Sequence, residues 1–421
     1  MKIVGIIAEF NPFHNGHKYL ISKAKEVCNA AVIVCSGNYV QRGMPAIINK
    51  TSRCEMAMLN GADLVIELPV VYSTASAELF ATASIALLDS LNCIDYLSFG
   101  CETDSIDLLN TVAEILINEP KEYKDLLTLN LKTGISFPKA RAKALDEYFK
   151  KYNLDYSLNI NSNNYAKYPS DITSNSNIDI NTFINQPNNI LGIEYIKALM
   201  RFNSKINPVP LKRLGAGYHS LDTGTKLASA TGIRTAMANK DNISGLLPDN
   251  CLNIIKNHTT IEYNDFSTVL GSKLLSMDTL DHIEGINQDL SNRIANNKYN
   301  FTDIETFIPM LQSKNYTYSA ISRALLHIIL DIKTDDIKEF VNNNYAMILG
   351  FTKKSGVLSE ISKSTKIPLV SKFATFYKEA DNNQRKMLDI NLKADNLYRM
   401  IYMNKTGETL PTEFQRQIII F

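Results

Sequence analysis

Apolar residues fill positions 3–8 without alternation, the pattern of a parallel strand covered on both faces. The chain then breaks at Asn11-Pro12. Beyond it Tyr19, Leu20, Ala24, Val27 and Cys28 recur at helical spacing, so a helix begins near Gly16-His17. The alternation repeats. A second apolar run at 31–35 ends in Ser36-Gly37-Asn38, and 51–59 has a helical period, with Ser52 and Glu55 at capping-box spacing and Gly61 as a stop. A third strand at 63–68 halts at Pro69, a small-residue helix follows over 75–91, and a fourth strand at 96–99 runs into Gly100-Cys101-Glu102. Strand and helix alternating on this scale predict an α/β fold, a doubly wound Rossmann-like parallel sheet. The loops carrying His14, Gly37 and Gly100 then open at its carboxyl edge, where such sheets bind ligands.

The pattern weakens after residue 104. Residues 104–151 hold two or three helices, one opened by Ser136 ahead of Pro138. Residues 153–185 are crowded with Asn, Ser and Asp and read as an Asn-rich surface insertion. An Asn-capped helix follows Pro187, with Ile190, Leu191, Ile193, Ile196 and Leu199 as its core face. A Pro-Val-Pro-Leu strand leads to Lys212-Arg213 and Gly215-Ala216-Gly217-Tyr218-His219. Ala228 to Arg234 then read as a loop entering a helix, with Ser or Thr as its cap and Arg234 facing back after the first turn. The remainder reads mostly helical; Ile321, Ala324, Leu325, Ile328 and Ile329 form one stripe with Arg323 off it. Two domains are expected, 1–245 and a mostly α-helical C-terminal domain at 246–421.

Composition narrows the chemistry. A chain of 421 residues, 45% hydrophobic, can bury a large core. A net charge of +1 carries no global argument for nucleic acid, so any such argument rests on local patches. Six cysteines without a CxxC read as reduced core residues, no signal peptide precedes the first strand, and no run approaches the ~20 apolar residues of a membrane span. The expected setting is cytoplasmic, with no membrane. The helix beginning at Gly16-His17 offers unpaired N–H groups and partial positive charge at the ligand edge. His14 and His17 can each donate to a phosphate oxygen, and Gly16 lets a base or phosphate approach the backbone. A bare HxxH is also compatible with a loop histidine pair or half a metal site. Zinc needs three or four ligands, and His219, His258, His282 and His327 lie in no Cys/His cluster, so no metal ligands are assigned. GxGxxG and Walker A loops are absent.

The His-x-Gly-His loop resembles the signature of the nucleotidyltransferase superfamily that includes class I aminoacyl-tRNA synthetases. Ser229-Ala230-Thr231-Gly232-Ile233-Arg234 resembles that superfamily's second motif, whose hydroxyls, helix N–H groups and guanidinium suit charge developing on a phosphoryl group. The likeness extends further. Glu9 through His17, Ser36-Gly37-Asn38 with Gln41-Arg42-Gly43-x-Pro45-Ala46, Gly61-Ala62-Asp63-Leu64-Val65 with Glu67-Leu68-Pro69, and Pro187-Asn188-Asn189-Ile190-Leu191-Gly192 together resemble the bacterial tRNA(Met) cytidine acetate ligase family. The resemblance covers roughly residues 1–240 and continues more weakly to Tyr316-Thr317-Tyr318-Ser319 and Arg323. The Asn-rich insertion and Ala320, where a basic residue is expected, depart from it.

The family implies an ATP-dependent ligase, acting with Mg2+, that activates acetate as acetyl-adenylate. The acetyl group then passes to N4 of the wobble cytidine of elongator tRNA(Met). By matching position, the resemblance gives ATP binding to Ile7, Ala8, Glu9, Phe10, Asn11, Pro12, Phe13, His14, Asn15, Gly16, His17, Lys18, Tyr19, Leu20, Gly100, Arg213 and one or both of Asn188 and Asn189. It gives catalytic roles to His14, His17, Arg213, Ser229 and Arg234. Beside such a domain, the lysines at 353, 354, 363, 366, 372 and 378, with Arg385 and Lys386, read as contacts to the tRNA backbone. Two alternatives share the N-terminal motifs: a small-molecule nucleotidyltransferase transferring an adenylyl or cytidylyl group, and a non-catalytic ATP-binding RNA partner.

Overall fold

Residues 1–152, 179–213, 228–339 and 345–421 are described by a computed structural model. Its first part runs β1 (Ile3–Ala8), α1 (Asn15–Lys25), β2 (Ala30–Ser36), a hairpin of β3 (Tyr39–Val40) and β4 (Met44–Pro45), α2 (Lys50–Leu59), β5 (Leu64–Leu68), α3 (Val70–Ser73), α4 (Ala77–Ser90) and β6 (Tyr96–Cys101). Next come α5 (Ile106–Asn118), α6 (Lys121–Lys132), α7 (Phe137–Lys151), α8 (Ile180–Phe183), α9 (Pro187–Arg201), β7 (Asn207–Lys212) and α10 (Ala230–Ala238). The last stretch holds α11 (Asp249–Lys256), α12 (Ser267–Ser276), α13 (Gln288–Asn297), α14 (Ile304–Leu311), α15 (Tyr318–Leu330), α16 (Thr334–Glu339), β8 (Ala346–Phe351), α17 (Val357–Ser364), β9 (Leu369–Val370), α18 (Phe373–Glu379), α19 (Asn382–Thr406) and β10 (Ile419–Ile420).

The strands lie in the order β10-β8-β5-β2-β1-β6-β7, with β9 beside β8. From β5 to β7 every pairing is parallel, whereas β8 runs antiparallel to β5. The doubly wound sheet is therefore present, with one antiparallel junction. Alternation within each strand divides the core. Ile3, Ile7, Val32, Val34, Leu64 and Ile66 face α4, α5 and α9, while Val4, Ile6, Ile33, Cys35 and Val65 face α1, α2, α10 and α11. From β1 the chain winds outward through β2 and β5 on one side and through β6 and β7 on the other. The reversal leaves a crevice past the carboxyl end of β1, the place where such sheets take their ligands.

Several local expectations change. Helix α2 is capped by Asn49, whose side chain accepts from Ser52 N, and not by a box built on Ser52 and Glu55. Helix α9 follows Gln186, so Asn188 and Asn189 lie inside its first turn instead of capping it. The end of the supposed insertion is core: Ile180, Phe183 and Ile184 are buried. The rest of it, 153–178, lies outside the described residues, as do residues 215–219.

The stretch after 246 is mostly helical, yet β8, β9 and β10 extend the same sheet across the expected boundary at 245/246. Helix α19 also lies on the hairpin region: Tyr39 Oη donates to Ala394 O at 2.9 Å, and Tyr398 Oη donates to Ala46 O at 2.9 Å. Gly43, with φ +79°, sits so tightly on α15 that a Cβ would run into the Arg323 backbone.

Candidate active site

The first motif forms a cap made of two imidazoles. His14 is the N-cap of α1; its Nδ1 accepts from Gly16 N at 3.0 Å, and His17 Nδ1 accepts from His14 N at 3.2 Å. Their rings stack with centroids 3.7 Å apart, and Phe10 and Phe13 pack around His17 at 5.0 and 5.5 Å. An Nδ1 that accepts leaves the proton of a neutral imidazole on Nε2, so this hydrogen-bond network assigns both tautomers. Burial, then the nearby Arg213 and Arg234 charges, push His14 down to about 3. Burial, then His14 and Arg213, hold His17 well below its ordinary value. At neutral pH the pair consists of two uncharged Nε2–H donors at a helix N-terminus.

The second motif closes onto the first. Ser229 caps α10 by accepting from Gly232 N at 3.1 Å, and Arg234 reaches back to donate to Asn11 O at 2.6 Å and to Thr231 Oγ1 at 3.1 Å. Asn15 anchors α1 to the segment beyond α10, through its N–H to Leu246 O and its amide to Gly245 O at 2.7 Å.

On the other flank, Arg213 follows β7 and lies across Gly100, where a Cβ would come within 3.3 Å of its side chain; it donates to Asn188 Oδ1 at 3.3 Å. The two asparagines divide here. Asn188 faces the arginine, whereas buried Asn189 accepts from Glu102 N and Thr103 N at 3.0 and 3.2 Å and donates to Phe183 O and Gln186 Oε1. Lys18, Tyr19 and Leu20 lie past the cap on α1, with Lys18 exposed. Among the described residues, no group of three His, Cys, Asp or Glu side chains is arranged to hold a metal ion.

Two residues of this edge were not singled out from sequence. Arg53 of α2 is fully buried and donates to the carbonyls of Ile48, Glu9, Ser36 and Gly37, tying together the ends of β1 and β2. Hydrogen bonds to a charged group contribute roughly 1.5–3 kcal/mol each. The signal was a lone cation among Cys54, Met56, Ala57 and Met58. Glu102 accepts from the N–H groups of Asn188 and Asn189 and so caps α9 from a distance. No sequence spacing announces that contact.

Four of the C-terminal lysines are placed elsewhere. Because β8 is antiparallel, Phe351 pairs with Leu64 at the start of β5, and Lys366 N donates to Ser90 O at the end of α4. Lys353, Lys354, Lys363 and Lys366 are exposed, at the edge of the sheet opposite His14.

Comparison with known proteins places this geometry. A model of the HIGH Nucleotidyl Transferase family matches residues 1–412. The tRNA(Met) cytidine acetate ligase of Thermoanaerobacter sp. (strain X514) is 37% identical, with 96% of this chain and 97% of that protein covered. The enzyme of that name from Clostridium acetobutylicum is 36% identical, with both chains covered fully. The crystal structure of Thermotoga maritima TmcAL bound with alpha-thio ATP superposes with a TM-score of 0.87 at 28% identity, again over the whole of both chains. The chain belongs to the tRNA(Met) cytidine acetate ligase family of HIGH nucleotidyl transferases.

Proposed function

We propose that this chain is an ATP-dependent ligase that activates acetate as acetyl-adenylate and transfers the acetyl group to N4 of the wobble cytidine of elongator tRNA(Met). The observation that carries the reading is the convergence of two neutral Nε2–H imidazoles with Arg213 and Arg234 at the switch point of the sheet. Such a set fits a polyphosphate: the imidazoles and the N-terminus of α1 donate without needing to lose a proton, and the guanidiniums supply charge. In this reading the backbone from Ile7 to Leu20, Gly100, Asn188 and Arg213 hold ATP. Asn189 supports them by fixing the Glu102 loop.

Acetate has no leaving group at neutral pH, which is why adenylation must come first. An acetate oxygen attacks the α-phosphorus and pyrophosphate departs. His14 and His17 hold the phosphate oxygens while charge moves onto the departing group, and Arg213 and Arg234 offset that charge. Ser229 already caps α10, so its hydroxyl proton remains available for a phosphate oxygen. Magnesium would come with the nucleotide, since no group of described acidic residues, histidines or cysteines forms a site for it, and it would supply further positive charge at the phosphates. In this reading the reaction takes place where the tRNA substrate is, in the cytoplasm. No described helix is long and apolar enough to cross a membrane.

The relatives' names support the tRNA substrate, and the ATP-analogue complex of the Thermotoga protein supports the nucleotide. The test is mass spectrometry of nucleosides from elongator tRNA(Met). N4-acetylcytidine should vanish in a strain lacking the protein and return with the gene. Its persistence in that strain would overturn the assignment.

A further inference from the structure

Acetyl transfer from the adenylate to cytosine releases a proton from an exocyclic amino group that is not basic, and the edge must supply an acceptor. His14 and His17 are excluded because each Nδ1 already accepts a backbone N–H, which leaves Nε2–H as a donor. Glu102 spends both carboxylate oxygens on the first turn of α9. Burial pushes the Cys35 thiol up to about 11 and raises Tyr195 further, so both keep their protons at neutral pH.

Glu9 differs from all of these. It stands immediately past β1, half-buried, with its backbone and side chain both fixed: Glu9 O accepts from Arg53 at 2.6 Å, and Glu9 Oε1 accepts from Gln41 N at 2.6 Å. Its Oε2 accepts from no described residue. The carboxylate is thus aimed by two contacts and has one oxygen left for a substrate.

We propose that Glu9 is the general base of acetyl transfer, its Oε2 accepting the proton that cytosine N4 loses. The inference rests on the reaction proposed above. The N4 lone pair attacks the acetyl carbonyl carbon and the C–N bond forms. The bond between that carbon and the phosphate oxygen breaks, its electron pair leaves with AMP, and one N4 proton passes to the Glu9 carboxylate and then to water.

The surroundings suit this task. Burial raises the Glu9 carboxyl above its ordinary value, against the Gln41 N–H and the charges of Arg42, Arg234 and Arg53, which lower it. A more basic carboxylate is a better acceptor, and the three arginine charges oppose the rise that burial causes. Cys35 and Tyr195, the other titratable groups that interact with it, remain neutral in this range.

The test isolates the second step by supplying acetyl-adenylate to enzyme and tRNA in a single turnover between pH 4.5 and 8. The wild-type rate should rise with pH and level off above the Glu9 pKa. Glu9→Gln, whose amide oxygen still accepts from Gln41 N, should fall about 100-fold, the lower end of general-base contributions, and lose the acid limb. Glu9→Asp should recover part of the rate together with the limb. A Glu9→Gln enzyme that is merely slower, with the acid limb intact, would overturn the base assignment and leave Glu9 as a tie to Gln41. Should Glu9→Gln fail to fold, an Asp variant with the wild-type rate and no acid limb would overturn it equally. A wild-type enzyme that transfers nothing from acetyl-adenylate overturns the underlying reaction itself, which separates the two failures.

Discussion

Two polar arrays lie along the same sheet, one buried and one open at its edge, and they are built on opposite terms. Around Lys50, the ammonium meets Glu67 at 2.9 Å, Asp395 at 2.6 Å and Glu413 at 2.9 Å, and Arg416 braces Glu413 at 3.0 Å. Three carboxylates face two cations. Burial, outweighing Lys50, therefore pushes the Asp395 carboxyl well above its ordinary value. At the carboxyl edge of β1, by contrast, Arg213 leans on an amide oxygen, Arg53 leans on carbonyls, and both histidines are neutral donors.

The first array is closed. It joins α2 and β5 to α19 and the chain's last segment, and its ions answer one another. In the second, Arg213 and Arg53 donate to neutral oxygens beside the single carboxylate of Glu9, an arrangement that a phosphate anion can join. One holds the chain together; the other is shaped for phosphate.

The sharpest way to break that contrast is to remove the cation of the closed array. Lys50→Met leaves buried carboxylates without their ammonium and should cost about 3–5 kcal/mol, read from urea unfolding. A loss below 1 kcal/mol would mean that the array is not held by charge.

The same treatment of the open array should affect rate more than stability. His17→Ala should lower acetate-dependent pyrophosphate exchange by roughly 100-fold, the scale of one oxyanion donor, while losing about 1 kcal/mol with the cap. An unfolded variant, or one exchanging at the wild-type rate, would erase the distinction. Arg213→Ala should lower kcat about tenfold and more than it raises the KM for ATP, because its charge matters most as pyrophosphate forms. A change confined to KM would make it a ground-state contact.

The smallest effect is expected at the far edge. Changing Lys353, Lys354, Lys363 and Lys366 together to Glu should leave exchange unaltered and shift the salt slope of tRNA binding by less than about one unit, since those lysines lie roughly 20 Å across six-residue strands from the histidines. A drop of several units in a filter-binding titration would place the tRNA body on that edge.

That last expectation reverses the one drawn from sequence, and the reason is topological. A local excess of lysine was visible at 353–386, but only the antiparallel register of β8 puts its start on the far side of the sheet. Continuous apolar runs at 3–8, 31–35 and 64–66 identified the central strands because buried parallel strands have no polar face to obscure them. The His-x-Gly-His loop was legible because its cap is local, each bond spanning two or three residues.

Contacts across long separations were not legible. Lys50 reaches Asp395 over 345 residues, and nothing in either segment marks its partner. Glu102 was missed for the same reason. The Asn-rich stretch misled in another way: Asp179 and its neighbours look like loop composition, yet Ile180, Phe183 and Ile184 are core, and three apolar residues are too few to show a period.

Pyrophosphate exchange into ATP tests the central claim most directly. With purified protein, labelled pyrophosphate should enter ATP when acetate is present, without any tRNA, and exchange should stop when acetate is withheld. Exchange that requires a nucleotide acceptor in place of acetate would contradict the account and identify a small-molecule nucleotidyltransferase. No exchange under any condition would leave a nucleotide-binding protein without adenylating activity.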